Sequence, residues 1–195
     1  MALFEKLFGK RDCEICGGDM GLLGNYKLAD GDLCKKCAEN ISPIMRVTKE
    51  YTVADIKEHL KYREENAKLL EEFNPTEEFG NGEKLFFDFA MGRFAYARSG
   101  DWKSEASDLI QFNQVTEVET EIEEDEIEVD DENADENAEP KTVPVNYYHV
   151  SLAISSPWFD EVNLELTDGE CPAQSDTEKC AEFEAQLNRI KEIFG

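Results

Sequence analysis

Residues 13–37 read CEICGGDMGLLGNYKLADGDLCKKC, a stretch in which two CxxC pairs close a short loop that contains several glycines. Zinc takes four ligands in a tetrahedron, and a CxxC turn places two thiolates on one edge of that tetrahedron without straining the chain. Seventeen residues separate the two pairs, within the spacing of about 15–20 that is typical of a paired-CxxC zinc site. The pattern predicts one structural Zn²⁺ with four ligands: Cys13, Cys16, Cys34 and Cys37.

The residues around the cysteines predict a small α+β finger over residues 11–45. Gly17-Gly18 follows the first pair, where close approach of the backbone lets amide N–H groups point at the sulfurs. Residues 26–33 alternate as a hairpin does, with Asp30-Gly31 at its turn. Residues 38–41 suit a short helix. A knuckle, a hairpin and a helix in this order are typical of a treble-clef-like or zinc-ribbon finger.

Other chemistries fit this cluster less well. Catalytic zinc keeps one open position, whereas four cysteines close the shell, and a thioredoxin-type redox centre needs one CxxC in a βαβ setting. Lys35 and Lys36 lie inside the second pair, where they either contact a phosphate or offset the −2 charge of a four-thiolate zinc site. Charge compensation is favoured by the acidic residues nearby: Asp12, Glu14, Asp19, Asp30 and Asp32.

The charge of the chain disfavours two classes of partner. Formal net charge is −25, and 14 of the 45 acidic residues lie between Glu117 and Glu139, a segment without Lys or Arg. Nucleic acid and anionic membrane surfaces attract basic proteins, so neither is an expected partner. The first residues carry no signal-peptide pattern, and no run of about 18 apolar residues follows. We therefore expect a cytoplasmic protein.

A linking helix is predicted over residues 52–74. Thr52 begins it with Asp55 as a near capping box, and Asn74-Pro75 ends it. His59 lies within this helix and is interpreted as a surface histidine, because no second histidine or cysteine follows at i+4 to share a metal with it. The side chains expected to face a core are Val53, Ile56, Leu60, Ala67 and Leu70.

Residues 76–195 predict an antiparallel β domain with a C-terminal helix. From Glu83 the apolar period changes from 3.6 to two, with a hairpin turn at Met91-Gly92 and further strand-like runs beyond it. The last 21 residues predict an amphipathic helix with Ser175 as its N-cap. The acidic segment around residues 125–141 is too charged to bury and predicts a flexible, solvated loop; binding of a basic partner is the less common meaning of such a tract.

Three further sets of residues are candidates for specific roles. Cys171 and Cys180 are expected to be free thiols rather than a disulfide, because the cytosol is reducing. A half-buried position of His149 beside Tyr147 fits its strand-like run, and a packed or surface histidine is favoured over a catalytic base. The aromatic residues near strand ends serve either as interface anchors or as core: Trp102, Trp158 and Phe159.

The first 76 residues resemble a family of bacterial proteins that begin with a DUF4428 domain, a cysteine-rich zinc finger. The resemblance lies in LFGKRDCEICG, GLLGNYKLADGDLCKKC, IKEHLKYREEN and FNPT. FNQVTEVE and SSPWFDEVNLEL resemble the β-rich segment that follows that finger in the family. The resemblance implies a zinc finger and supplies no catalytic residue.

The strands and the single C-terminal helix also resemble a pleckstrin-homology (PH)-like barrel, or a curved sheet of that kind. Such an analogy carries no function by itself. Binding of lipid headgroups requires converging cations, and the hairpin predicted after Glu83 offers only Lys84, Arg93 and Arg98. We therefore expect no membrane partner.

Three classes of function remain to be weighed. A non-enzymatic adaptor that binds a protein partner requires only the predicted finger and β domain. A finger that binds nucleic acid is the alternative, and its candidate contacts are Lys6, Lys10, Arg11, Lys27, Lys35 and Lys36. An enzyme is disfavoured because the chain has two histidines and no GxSxG, HExxH, P-loop or GxGxxG motif. The partner's identity and the oligomeric state do not follow from these patterns.

Overall fold

A computed structural model describes residues 12–21, 25–129, 141–167, 169 and 171–195. The chain divides into two compact units, Met1–Glu72 and Phe73–Gly195. Within the described residues the protein is α+β, with three α-helices and with nine strands arranged in three antiparallel sheets. The predicted α+β class is confirmed. The candidate cations Lys6, Lys10 and Arg11 lie outside the described residues.

The first unit contains a two-stranded hairpin and two helices: β1 (Tyr26–Lys27), β2 (Asp32–Leu33), α1 (Lys35–Ala38) and α2 (Val53–Glu72). Tyr26 pairs with Leu33 across the hairpin, and the Leu28 N–H donates to the Gly31 carbonyl at 2.9 Å to close the turn. The predicted hairpin is confirmed. The short helix begins three residues earlier than predicted and includes Cys37, because Cys34 takes the N-cap position.

Helix α2 has three of its first N–H groups satisfied by side chains. The Asp55 carboxylate accepts from the Thr52 N–H at 2.7 Å, and the Thr52 hydroxyl accepts from the Asp55 N–H at 3.2 Å. The Asp30 carboxylate at the hairpin turn accepts from the Val53 N–H at 2.7 Å. Hydrogen bonds from Thr52 also lower the pKa of Asp55. The predicted capping box is confirmed, and the helix, Val53–Glu72, lies within the predicted range 52–74.

The buried face of α2 is more polar than predicted. Ile56 and His59 are fully buried and Asn66 is 3% exposed, whereas Ala67 is exposed. The expectation of a surface histidine is wrong. The His59 Nε2 atom accepts a hydrogen bond from the Ser42 N–H at 3.0 Å, and a buried backbone N–H requires such an acceptor.

The second unit begins with a four-stranded antiparallel sheet whose strands follow chain order: β3 (Glu77–Phe79), β4 (Lys84–Asp88), β5 (Arg93–Ala97) and β6 (Leu109–Gln111). The predicted hairpin between β4 and β5 is confirmed, with Gly92 at a φ of +64° in its turn. Alternation is not observed: four consecutive residues are buried in each of these strands, because both faces of the sheet centre are covered.

A three-stranded antiparallel sheet follows, with the order β7 (Val115–Val129), β8 (Lys141–Ile154) and β9 (Glu161–Glu165). The β7–β8 ladder continues as far as the pair Val129 and Lys141. The prediction of a flexible loop over 125–141 is therefore wrong at both ends. Its described acidic residues, Asp125, Glu126 and Glu128, reach solvent from a paired strand, and a ladder of backbone hydrogen bonds does not require neutral side chains. Residues 130–140 lie outside the described residues.

Helix α3 (Thr177–Phe194) belongs to the core of the second unit. The ring of Phe183 stacks on Tyr148 of β8 with centroids 5.2 Å apart, and the ring of Phe194 lies 5.8 Å from Phe87 of β4. The N-cap is Asp176, whose carboxylate accepts from the Lys179 N–H at 3.1 Å, so the prediction of Ser175 is wrong by one residue.

The structure decides between two pairs of alternatives that the sequence left open in this unit. The aromatic residues considered as interface anchors are core residues: Trp102, Trp158 and Phe159 are 8%, 9% and 8% exposed. Across the described residues no ladder joins the four-stranded sheet to the three-stranded sheet, so a closed barrel is not formed. No α-helix in the described part of the chain combines the length and the apolar character that a membrane span requires.

Candidate metal centre

The first cysteine pair lies in a tight turn that depends on glycine. The Gly17 N–H donates to the Cys13 carbonyl at 2.8 Å, and the Cys13 N–H donates to the Gly18 carbonyl at 2.8 Å. Gly17 has a φ of +68°, a conformation that is accessible to glycine and costly for residues with a Cβ atom. The turn brings the Cys13 and Cys16 side chains to the same side of the backbone.

The second pair is placed by the hairpin and by helix α1. Leu33 of β2 is fully buried and precedes Cys34, which is the N-cap of the helix. The Cys37 N–H donates to the Cys34 carbonyl at 3.1 Å, so Cys37 lies one helical turn further along. The strand, the N-cap and the first helical turn therefore set the backbone positions of Cys34 and Cys37.

All four predicted ligands come together. Their sulfur atoms lie within 4.8 Å of one another, and the Cys16 and Cys34 sulfurs are 3.8 Å apart. A tetrahedron with Zn–S bonds of about 2.3 Å has edges of about 3.8 Å, whereas a disulfide requires about 2.05 Å. Each of these cysteines is a free thiol. The four side chains are thus close enough to hold one metal ion.

The surroundings of the sulfurs favour a cation among them. Burial raises the pKa of Cys13, but N–H groups of Cys16, Cys34 and Ile15 outweigh it and lower the pKa to about 6. The Cys34 N–H contributes at an N···S distance of 3.3 Å. Burial, and the hydrogen bonds that Cys37 shares with the other sulfurs, raise the pKa of that thiol. One thiolate is stabilised by the backbone, and further thiolates require a positive partner.

The four cysteines differ in access to solvent. Cys13, Cys34 and Cys37 are 2%, 7% and 8% exposed, and Cys16 is exposed. Lys35 and Lys36 point to solvent beside the second pair, and the Lys35 Nζ lies 3.9 Å from a Glu39 carboxylate oxygen. The positive charges near the sulfurs are therefore accompanied by acidic groups.

The remaining candidate residues are not members of this cluster. Within the ranges that the structure describes, the four cysteines are the one group of three or more His, Cys, Asp or Glu side chains close enough to hold a metal. Cys171 and Cys180 are unpaired, as predicted. His149 is half-buried, as predicted; its ring stacks on Tyr147 and its Nε2 lies 3.5 Å from a Glu123 carboxylate oxygen.

The supporting roles of two residues in the first unit were not predicted from the sequence. His59 holds the segment that leaves helix α1 through the Ser42 N–H, and Asp30 joins the hairpin turn to the start of α2. The DG turn pointed to Asp30 as a turn residue only. The available signal for His59 was its spacing, because it lies three residues after Ile56, which was expected to face the core.

One family model, described as Domain of unknown function (DUF4428), matches residues 12–59. The predicted resemblance is confirmed for this segment, which contains all four cysteines, the hairpin, α1 and the first part of α2. Comparison with curated proteins and with solved structures found no match for the chain.

Proposed function

We propose that Cys13, Cys16, Cys34 and Cys37 bind one structural Zn²⁺, and that the chain acts as a non-enzymatic adaptor that binds protein partners. The convergence of four sulfurs within 4.8 Å carries the zinc proposal. Soft thiolate ligands suit zinc, and a shell of four cysteines leaves no position open for a substrate. When bound, zinc supplies charge neutralisation and folding free energy.

We propose that this zinc unit is a treble-clef-like finger. Three observations support the assignment: the first pair lies in a glycine turn, a hairpin follows, and a helix begins on the second pair. The segments between the ligands are tied to one another, since the Glu14 N–H donates to the Asp32 carbonyl at 3.0 Å. Among the described residues from 12 to 45, the buried apolar side chains other than the cysteines are four: Leu28, Leu33, Ile41 and Met45. A bound metal is therefore the natural source of stability for this segment.

Metal analysis of the purified full chain tests the zinc proposal. We expect about one zinc per chain, as a closed four-cysteine site requires. Cys34→Ser should lose the metal, and Cys171→Ser, a matched change at a cysteine outside the cluster, should keep it. Well-folded protein with far less than one zinc per chain would contradict the proposal.

The adaptor proposal rests on the character of the second unit. Two antiparallel sheets and one helix enclose a shared aromatic core, and we propose that this arrangement is a PH-like β domain. Neither histidine suggests an acid–base site: His59 Nε2 accepts from a backbone N–H, and His149 is placed beside Glu123. A chain with a zinc-stabilised finger and a folded β domain is suited to presenting surfaces to other proteins.

Affinity capture from a cytosolic extract, with the full chain as bait, tests the adaptor proposal. Specific protein partners should be recovered at physiological salt and identified by mass spectrometry, and each should then bind the purified chain directly. Recovery of nucleic acid in place of protein, with affinity that falls steeply as salt is added, would support the nucleic-acid alternative and contradict the adaptor.

A further inference from the structure

Strand β7 lies at one edge of the three-stranded sheet. The strand order is β7-β8-β9, and in the described part of the chain β7 pairs with β8 alone. The side of β7 that faces away from β8, called the β7 edge below and taken from Glu117 to Glu123, therefore presents a row of backbone N–H and C=O groups. Such a row is a template for one more strand.

Side chains along the β7 edge alternate strictly between two faces. The outward side chains are exposed glutamates at every second position: Glu117, Glu119, Glu121 and Glu123. The side chains between them share a face with the buried Leu152, Val150 and Tyr148 of β8, and they are Val118, Thr120 and Ile122. An added strand would meet carboxylates on one face and β-branched side chains on the other.

The charge around the β7 edge has one dominant sign. The three strands carry ten carboxylates and one lysine, Lys141. On the outward face His149 lies opposite both Glu121 and Glu165 in the ladder. Like charges that face each other across strands are destabilising, so pairing of this edge with the same edge of a second copy would oppose glutamate to glutamate. A cationic strand would relieve that repulsion.

Two grooves lie along β7. One, of about 460 Å³, follows residues 118–121 and is also lined by His149 and Ser151 of β8 and by Lys191, so it extends over the paired strands. A second groove of about 330 Å³ continues along residues 115–118 to Phe194. Lys191 is the cation at both grooves, and it disfavours a basic side chain beside it. Positions of an added strand that face Lys191 are therefore expected to be uncharged.

We propose that the β7 edge binds an extended basic segment of a partner protein as an additional strand. The segment carries Lys or Arg at every second position, facing the four glutamates, with Val, Thr or Ile between them. This inference rests on the proposed adaptor function and names the chemistry of one partner surface. Backbone hydrogen bonds contribute affinity, and the alternating charge selects the partner and its register.

The test uses the full chain and a fluorescent peptide, Lys-Val-Lys-Thr-Lys-Val-Lys, with binding followed by anisotropy at about 150 mM salt, where long-range attraction is screened. The matched control peptide has the same sequence with N-methylated Val and Thr residues, which keep the charge and lose the N–H donors. We expect the parent peptide to bind and the N-methylated peptide to bind at least about tenfold more weakly.

Paired charge reversals locate the site. The double variant Glu119→Lys/Glu121→Lys should weaken binding of the parent peptide at least about tenfold. Glu178→Lys/Glu182→Lys makes the same change in net charge on the exposed side of α3 and should weaken it less than about threefold. Equal binding of the two peptides, equal losses in the two variants, or no binding of the parent peptide would each overturn the inference.

The same variants separate this inference from the adaptor function. If the β7-edge variant binds the captured partners as tightly as the parent chain does, the adaptor proposal holds. The proposal that the β7 edge is the partner site is then wrong. Absence of any specific protein partner for the parent chain would overturn the adaptor, and with it the biological role of the edge, even where the peptide binds.

Discussion

The cysteine cluster and the paired strands β7 and β8 are both rich in groups that carry negative charge, but they arrange these groups in opposite ways. Four sulfurs converge within 4.8 Å, and three of their cysteines are buried. The carboxylates of β7 spread along a 15-residue strand, and every described side chain from Glu121 to Glu128 is exposed. Converging buried anions need one cation in a fixed geometry, whereas dispersed anions are solvated and leave a strand intact. The comparison predicts metal dependence in one unit and none in the other.

Removal of metal should give the largest effect. A tight chelator is expected to unfold the segment from Cys13 to Ile41, because apparent zinc binding free energies of finger peptides are about 10–16 kcal/mol and are largely folding free energy. Hydrogen exchange by mass spectrometry should show loss of protection there and retained protection in β4, β5 and α3. Loss of protection in the second unit as well would break the contrast between the two regions.

His59→Ala should give the next largest effect. The change leaves the buried Ser42 N–H without the acceptor it has in the structure and creates a cavity, at a combined cost of about 2–4 kcal/mol. Urea denaturation of zinc-loaded protein, followed by one probe in each unit, measures the cost. His149→Ala, at a half-buried histidine, is the control and should cost less than about 1 kcal/mol. Equal costs would show that His59 does not support the first unit.

Gly17→Ala should cost about 1–2 kcal/mol of unfolding free energy and should weaken zinc binding, because Gly17 has a φ of +68°. Gly18→Ala is the matched control: its backbone is not left-handed, and an added Cβ would lie 3.4 Å from the Cys16 sulfur. Competition with a chromophoric chelator measures the zinc affinity of both variants. A Gly18→Ala loss as large as that of Gly17→Ala would contradict the proposed role of the turn.

The pH dependence of the Glu77–Arg189 pair should give the smallest effect. Arg189 donates to both carboxylate oxygens of Glu77, at 3.0 and 2.9 Å, and these bonds lower the Glu77 pKa. A lowered folded-state pKa contributes stability above the unfolded pKa of about 4.3, and that contribution is lost as pH falls through the folded pKa.

Glu77→Gln should therefore destabilise the second unit slightly at pH 7 and by less at about pH 3, which lies below the unfolded pKa of about 4.3. Glu192→Gln is the control, because Glu192 makes only a 3.4 Å contact with Arg189. Thermal unfolding at the two pH values gives the comparison. If the difference in unfolding temperature between Glu77→Gln and the parent chain grows toward low pH, the pH dependence is opposite to the one that a lowered Glu77 pKa predicts.

Local patterns predicted the parts of the fold that depend on near neighbours. Cysteine spacing identified the sulfurs that converge, the DG turn placed the first hairpin, and Thr52 with Asp55 marked the start of α2. Each of these signals lies within a few residues of the structure it specifies, apart from the two cysteine pairs, which zinc chemistry connects.

The errors concern partners that are distant along the chain. His59 is buried because the Ser42 N–H, 17 residues away, needs an acceptor, and an apolar stripe cannot reveal such a need. Residues 125–129 of the acidic segment belong to a strand because residues 141–145 lie beside them in the ladder, although composition alone predicted a loop. Burial on both faces of β4 likewise depends on elements that the strand's own alternation does not encode.

X-ray absorption at the zinc edge of the purified full chain reports the atoms bound to the metal and so decides whether the four cysteines form a closed site. We expect four sulfur ligands at about 2.3 Å and no nitrogen or oxygen ligand. A shell that contains nitrogen or oxygen, or a protein that folds its first unit without zinc, would contradict a closed site made by Cys13, Cys16, Cys34 and Cys37.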